Sequence, residues 1–288
     1  MKVGITGATG FIGSRVAAHC GARAYEVVAF SRRPQAGARL FHLGSAPDLE
    51  GLDAIVNLAG ESILGLWTAK KKQRIRDSRV LGTRRIVEAI EKMATRPRVL
   101  VNASAIGFYG DTGENLVDEF SGPGQGFLAE VCQEWEGEAA RAASYGVRVV
   151  FVRIGFVIGK GGALKLIAPL FKLGLGGKLG NGRQWMSGVH VEDVAGIIVW
   201  ALANETVSGP VNAVMSAPFR NVDFTRELAR CVARPAILPA PALALRLALG
   251  QLSHLMLDST RVAPKAATKA GYEFQFPTLP AALANAVR

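Results

Sequence analysis

The chain has 288 residues, of which 49% are hydrophobic and 20% charged, and this balance excludes a disordered chain. The net charge of +11 is compatible with a polyanionic partner, but the basic residues are spread along the sequence. The one dense basic run, residues 70–76, leads into a predicted helix without interleaved aromatic residues, so nucleic-acid binding is disfavoured.

The same sequence predicts neither a membrane segment nor a metal site. No apolar run reaches the roughly 18 residues that a membrane span needs. The first strand begins at Lys2, so we expect no signal peptide and a cytoplasmic location. Cys20, Cys132 and Cys231 are far apart and fit no metal-binding or disulfide spacing, which predicts reduced thiols.

The first 33 residues predict a nucleotide site. An apolar strand at Lys2–Thr6 is followed by Gly7, Gly10 and Gly13 and then by a helix from Phe11 to Gly21. Glycines at this spacing allow a tight turn, the approach of a pyrophosphate, and close packing of the helix on the strand. The positive end of the helix then faces the diphosphate. The alternative is an ordinary strand-to-helix turn.

The second strand, Glu26–Phe30, indicates which dinucleotide is bound. It ends at Ser31, Arg32 and Arg33, without the acidic residue that usually binds the ribose of NAD. A hydroxyl group and two guanidinium groups are suited to a 2′-phosphate, because arginine gives planar, charge-assisted donors. The sequence therefore predicts NADP(H), with a solvated basic loop as the alternative.

The rest of the chain continues as alternating strands and helices. Residues 34–52 are predicted to be a variable connection, and a last strand is expected near residues 272–276. Strands are predicted at residues 53–60, 98–104, 147–153 and 210–214, and helices at residues 75–93, 127–145, 164–173, 191–202 and 223–232. This order predicts an α/β fold with a Rossmann-like, doubly wound parallel sheet, whose ligands lie outside the carboxyl ends of the strands.

Several motifs together resemble the epimerase-family proteins, atypical members of the extended short-chain dehydrogenase/reductase superfamily. The matching segments are Thr6–Gly13, Asn57–Glu61, Ser104–Gly110, Trp135–Glu136, Arg153–Gly162, Leu173–Gly177, Gly182–Trp185 and His190–Asp193. The tail also resembles the small C-terminal domain of unknown function of that group.

This resemblance implies two parts. The first is an NADP(H)-binding domain at residues 1–160, with returning segments at about 183–215. The second is a smaller, mostly helical substrate lobe at residues 161–288, which includes the tail from about 235. Implied cofactor contacts are Thr9, Gly10, Phe11, Ile12, Ser31, Arg32, Leu58, Ala59, Arg79 and Val157; Gly60 lies with Leu58 and Ala59 at the predicted cofactor edge.

The chain differs from the superfamily at the positions of the catalytic acid and its lysine partner. Extended members use a Tyr-x-x-x-Lys helix, in which the lysine lowers the pKa of the tyrosine so that the phenol exchanges a proton. Here the positions hold Phe127 with Val131 or, in the other register, Leu128 with Cys132. The atypical group is known to lack the Tyr-Lys pair.

Other residues remain candidates. Ser104, at the end of a strand, is predicted to be either a catalytic and cofactor-contacting hydroxyl or a structural cap. Tyr109 is the second catalytic candidate, although it fits the wall of the nicotinamide or substrate pocket better than a base. Candidate substrate residues are Glu61, Arg183, Trp185 and His190, each with a structural role as the alternative.

Two functions follow from these observations. The first is an NADP(H)-dependent oxidoreductase or epimerase that acts on an unidentified small molecule. The second is an NADP(H)-binding sensor or interaction protein without hydride chemistry, which the missing Tyr-Lys pair favours. The predicted partner is the small substrate, and a homodimer is the assembly that the chain could form.

Overall fold

A computed structural model describes residues 1–287, and its centre is a seven-stranded parallel sheet. The strand order is β10-β6-β5-β4-β1-β2-β3. The strands are β1 (Lys2–Thr6), β2 (Glu26–Ser31), β3 (Ala38–Leu40), β4 (Ala54–Asn57), β5 (Val99–Ala105), β6 (Arg148–Ile154) and β10 (Gly209–Ala213). All neighbours run parallel, so their carboxyl ends share one edge.

Helices cover both faces of the sheet. Those of the first two-thirds of the chain are α1 (Phe11–Ala22), α2 (Ala69–Lys92), α3 (Phe127–Ala140), α4 (Leu164–Lys172) and α5 (Val191–Ala203). Buried residues of α1 and α5 pack together on one face, where Val16 and Ile197 belong to the same core. Ile86 of α2 and Ala139 of α3 belong to the core of the other face. This arrangement confirms the predicted doubly wound fold.

The C-terminal part packs around a third core. It contains α6 (Asn221–Val232), α7 (Ala242–Leu249), α8 (His254–Leu257), α9 (Lys265–Lys269) and α10 (Leu279–Val287). Two small sheets complete it, formed by β7 (Phe156–Ile158) with β9 (Gly188–His190) and by β8 (Trp185–Met186) with β11 (Phe219–Arg220). The core joins α4, α6 and α10 through Phe171, Leu228 and Leu283.

The structure corrects two predictions. The segment at residues 34–52 is not wholly irregular, because β3 pairs with β2 at the edge of the sheet. The prediction of a strand near residues 272–276 is wrong, because these residues form no strand. The backbone N–H groups of Gln275 and Phe276 donate to the buried Asp193 carboxylate at 2.6 and 3.0 Å, so they are not available for a strand ladder.

Helix α2 begins six residues earlier than the apolar pattern predicts. Thr68 caps it, because its hydroxyl accepts a hydrogen bond from the backbone N–H of Lys71 at 3.2 Å. The first turns are rich in lysine and arginine and therefore carry no apolar periodicity. None of the helices at residues 1–287 is long and apolar enough to span a membrane.

Candidate functional site

The glycine turn joins β1 to α1 in close contact. Gly7 has φ +71°, a conformation that favours glycine. A Cβ atom on Gly13 would lie 2.0 Å from the carbonyl oxygen of Gly7, so no other residue fits there without a shift of the backbone. Thr9 and Gly10 are exposed, and no side chain caps the first N–H groups of α1. The turn is therefore shaped to receive an anion at the helix N-terminus.

A buried hydrogen-bond network fixes the strand ends next to this turn. The hydroxyl group of Thr6 accepts from the backbone N–H groups of Leu58 and Ala59, both at 3.1 Å, and donates to Asn57 Oδ1 at 2.7 Å. The amide of Asn57 donates to Asn102 Oδ1 at 2.7 Å and to Thr83 at 2.8 Å. These bonds hold β1, β4, β5 and α2 in register at the predicted cofactor edge.

The end of β2 presents positive charge to solvent. The hydroxyl group of Ser31 accepts from the backbone N–H of Arg33 at 3.2 Å, which shapes the loop. The side chains of Arg32 and Arg33 are exposed, and neither forms an ion pair within residues 1–287. Two unpaired guanidinium groups beside a glycine turn fit the 2′-phosphate of NADP(H).

Arg79 and Glu61 lie on the opposite side of the same edge. The guanidinium of Arg79 donates to the carbonyl oxygens of Glu61 and Ile75 at 3.0 and 3.1 Å. It also lies against Gly60, where a Cβ atom would be 3.2 Å away. Burial lowers the pKa of Arg79. The Glu61 carboxylate pairs with Lys71 Nζ at 2.8 Å, and this hydrogen bond is the main reason that its pKa is lowered.

A second buried network lies between β5, α3 and β6. The hydroxyl group of Ser104 donates to Glu136 Oε1 at 2.6 Å. Arg153 donates to both oxygens of Glu136, from Nε at 2.9 Å and from Nη2 at 2.8 Å. The guanidinium of Arg153 also lies 3.5 Å from the ring centre of Phe108. A buried bidentate pair of this kind fixes the orientation of the Glu136 side chain and, through it, positions the serine.

Tyr109 closes this network on its far side. Its hydroxyl group donates to Asn212 Oδ1 at 2.8 Å and accepts from Arg153 Nη1 at 2.9 Å. The residue is 4% exposed, and burial raises the pKa of the phenol. Glu119 is also buried here and accepts from the backbone N–H of Asn212 at 2.9 Å. Tyr109 is therefore a link between strands rather than a surface open to a ligand.

Comparison with known proteins decides the family. Residues 3–213 match the NAD dependent epimerase/dehydratase family. The chain belongs to that family. Residues 240–286 match a domain of unknown function, and both matches confirm the resemblance stated above.

Individual relatives agree with this assignment. The chloroplastic epimerase family protein SDR39U1 homolog of Arabidopsis thaliana is 37% identical over 96% of this chain and 84% of its own length. The crystal structure of the human epimerase family protein SDR39U1 with NADPH has a TM-score of 0.95 and 32% identity, over 100% of this chain and 99% of that one. The nucleoside-diphosphate sugar epimerase from Corynebacterium glutamicum has a TM-score of 0.83 and 34% identity, over 100% of this chain and 58% of that one.

Helix α3 lacks the acid that extended members of the superfamily use. Leu128 and Cys132 face the end of β5, because Leu128 lies against Gly107 and the Cys132 thiol donates to the carbonyl oxygen of Ala105 at 3.8 Å. Burial raises the pKa of Cys132 to about 11. Phe127 instead packs on Trp67, with ring centres 5.4 Å apart. The contacts thus favour the Leu128–Cys132 register, which holds no acid that titrates near neutral pH.

Two of the predicted substrate residues, Arg183 and Trp185, share a neighbour, because the Arg220 guanidinium donates to the carbonyl oxygen of Arg183 and lies over the Trp185 ring. Arg183 is exposed. The indole N–H of Trp185 donates to Glu114 at 2.8 Å, and Arg220 lies over its ring at 3.8 Å. His190 is 1% exposed and caps α5 by accepting from the backbone N–H of Glu192 at 3.3 Å. In this place His190 has no surface for a substrate.

Sequence reasoning missed the connecting residues of both networks. Thr83 and Asn102 complete the first network, and Glu136, Arg153 and Asn212 complete the second. One signal was present, because Asn102 is a polar residue within an otherwise apolar strand. Val157 lies half-buried in β7 beside Val189, and three cysteines among residues 1–287 are free. No group of three potential metal ligands occurs within that range.

Proposed function

We propose that this chain binds NADP(H) and acts as an oxidoreductase or epimerase on a small molecule. The observation that carries the cofactor proposal is the exposed, unpaired pair Arg32 and Arg33 beside the glycine turn. The NADPH in the human relative supports the same cofactor. The diphosphate would lie at the N-terminus of α1, and Ser31 with the two arginines would bind the 2′-phosphate.

Bound NADP(H) supplies or accepts a hydride. The chain's own contribution at the reacting end rests on Ser104, which remains a prediction. The residue is 3% exposed and its proton is committed to Glu136, so only its lone pairs, at the carboxyl end of β5, would be left to accept a hydrogen bond from a ligand. Glu136 in turn is fixed by Arg153, so the serine keeps one orientation. Ser104 would therefore orient a hydroxyl or amide group of the ligand.

The second candidate is an NADP(H)-binding sensor without hydride chemistry. The observation that favours it is the apolar face of α3. Leu128 and Cys132, whose thiol pKa is raised by burial, stand there in place of a proton donor. Tyr109 does not replace that donor, because both sides of its hydroxyl group are occupied. Under this alternative the cofactor would bind and remain unchanged.

Turnover separates the two candidates. The protein with NADPH is incubated with fractionated metabolite extracts, and loss of NADPH absorbance is followed for the wild type and for Ser104→Ala. An oxidoreductase oxidises NADPH with at least one fraction, whereas an epimerase leaves the absorbance unchanged and converts one component of a fraction into its epimer, which chromatography detects. Ser104→Ala should slow either reaction by roughly tenfold, the size of one lost hydrogen bond. Tight NADPH binding with neither NADPH oxidation nor formation of an epimer in any fraction favours the sensor.

A further inference from the structure

A cavity of about 350 Å³ lies in the C-terminal part, away from the residues assigned above. Arg246, Gln251, His254 and Asp258 contribute the polar part of its wall. Its volume is within the range of about 300–1,000 Å³ that is usual for small-molecule sites. None of these four side chains is used by the sheet or by the two buried networks.

The wall of this cavity carries one guanidinium, Arg246, and one carboxylate, Asp258, whose hydrogen-bond partner is His254. Asp258 is directed at His254, since its two carboxylate oxygens lie 2.9 and 3.1 Å from Nδ1. Burial is the main reason that the pKa of Asp258 is raised. Arg246 lies in the last turn of α7, is exposed, and forms no ion pair or hydrogen bond within the described part of the chain. The charge of Arg246 acts to lower the pKa of Asp258, but no hydrogen bond joins the two side chains, so the N–H groups of Arg246 are left to donate to a ligand.

Gln251 connects the cavity to helices α2 and α3. Its side-chain oxygen accepts from Lys72 Nζ at 3.1 Å, so its amide N–H groups are free to donate elsewhere. The same ammonium group lies 4.7 Å from the ring centre of Phe127, the first residue of α3. The cavity thus lies near the N-terminal turns of α2 and α3.

We propose that this cavity binds the oxyanion group of a small molecule, with Arg246 as the residue that binds the charge. Gln251 is the second donor, and the His254–Asp258 pair forms the opposite polar wall. A guanidinium binds a phosphate or a carboxylate through two parallel N–H groups, which fits both oxyanions. That this molecule is the substrate rests on the proposed function, but binding of the oxyanion does not.

Calorimetric titration with inorganic phosphate and, separately, with acetate tests the proposal. All measurements use the full chain carrying both Arg32→Ala and Arg33→Ala, because the β2 loop is itself predicted to bind phosphate. Arg246→Ala is added in one variant and Arg23→Ala in the other. Arg23 is an exposed residue that follows α1, so its replacement removes the same positive charge at a place outside the cavity.

We expect at least one probe to bind, and Arg246→Ala to raise its Kd by about tenfold or more, as for one lost charge-assisted contact. Arg23→Ala should change the Kd by less than about twofold, the size of a screened surface charge. Absence of binding, an unchanged Kd in Arg246→Ala, or equal losses in both variants would overturn the proposal. These titrations contain no NADP(H) and therefore do not test the proposed function. Absence of NADPH binding in a separate titration would contradict only the proposed function.

Discussion

The two ends of the cofactor edge are built differently. At the β1–β2 end, the side chains of Thr9, Arg32 and Arg33 are exposed. The glycine turn beside them contacts main-chain atoms. At the β5–β6 end, Ser104, Glu136 and Arg153 are buried and bonded to one another. The first end is open to an anion, whereas the second has almost every polar group already paired.

This difference between the two ends distinguishes cofactor binding from acid–base catalysis. An open, cationic turn needs only a phosphate to complete it. A closed network rigidifies the core, and burial raises the pKa of its phenol, Tyr109, away from the neutral range that an acid–base catalyst requires. The β1–β2 end is therefore open to a ligand, whereas the polar side chains of the β5–β6 end are mainly bonded to one another.

The largest effect is expected at the closed end. Arg153→Met leaves the Glu136 carboxylate buried without its cation, and we expect the free energy of unfolding to fall by about 3–5 kcal/mol. Urea denaturation measures this loss. The control is Arg226→Met, whose guanidinium is 75% exposed and which should stay within about 0.5 kcal/mol.

A double variant makes this prediction sharper. Adding Glu136→Leu to Arg153→Met removes the uncompensated charge, so much of the lost stability should return. A loss below about 1 kcal/mol in the single variant would show that the closed end does not depend on this ion pair.

A smaller effect is expected at the open end. Gly13→Ala places a Cβ atom against the carbonyl of Gly7, and we expect a loss of stability near the upper end of about 1–3 kcal/mol, together with weaker NADPH binding. Gly21→Ala lies in the same helix with nothing within 4 Å. It should stabilise the chain by up to about 1 kcal/mol, and a similar loss in both variants would refute the close-contact argument.

The smallest effect is expected on the stability of the chain at acid pH. Burial lowers the pKa of His190, so the folded chain favours the neutral imidazole, whereas the unfolded chain takes up a proton below about pH 6.5. Stability attributable to His190 is therefore complete above pH 7.5 and decreases as the pH falls below 6.5.

Denaturation at pH 7.5 and 5.5 measures this contribution. His190→Asn should reduce the loss of stability between these pH values by on the order of 1 kcal/mol. His42→Asn removes an exposed histidine and is the control. Equal losses in the wild type and in His190→Asn would contradict the assignment.

The regular parts of the fold were predictable because their patterns are local. The segment from β1 to β2 combines an apolar strand, spaced glycines and a helical period, so its elements and order are confirmed. The strands β3, β8 and β11 have only two or three residues, too few for any periodicity. The false strand at residues 272–276 has a strand-like composition, but Asp193, about 80 residues away, binds its N–H groups.

The site was predictable only where adjacent residues form it. Ser31, Arg32 and Arg33 are consecutive, so their combined charge is visible in the sequence. The second network instead joins Ser104, Glu136 and Arg153, which meet because β5 and β6 are neighbours and α3 packs on them. Such a set depends on register and topology, which one sequence does not specify.

Titration of the protein with NADPH and NADH, followed by quenching of tryptophan fluorescence, tests the central claim most directly. We expect NADPH to bind more tightly than NADH, and Arg32→Ala to weaken NADPH binding by about 1.5–3 kcal/mol while leaving NADH binding unchanged. Arg23→Ala, with the same change of charge, should leave both affinities unchanged. Equal affinities for the two cofactors, or equal losses in the two variants, would contradict the assignment of the β2 loop to the 2′-phosphate.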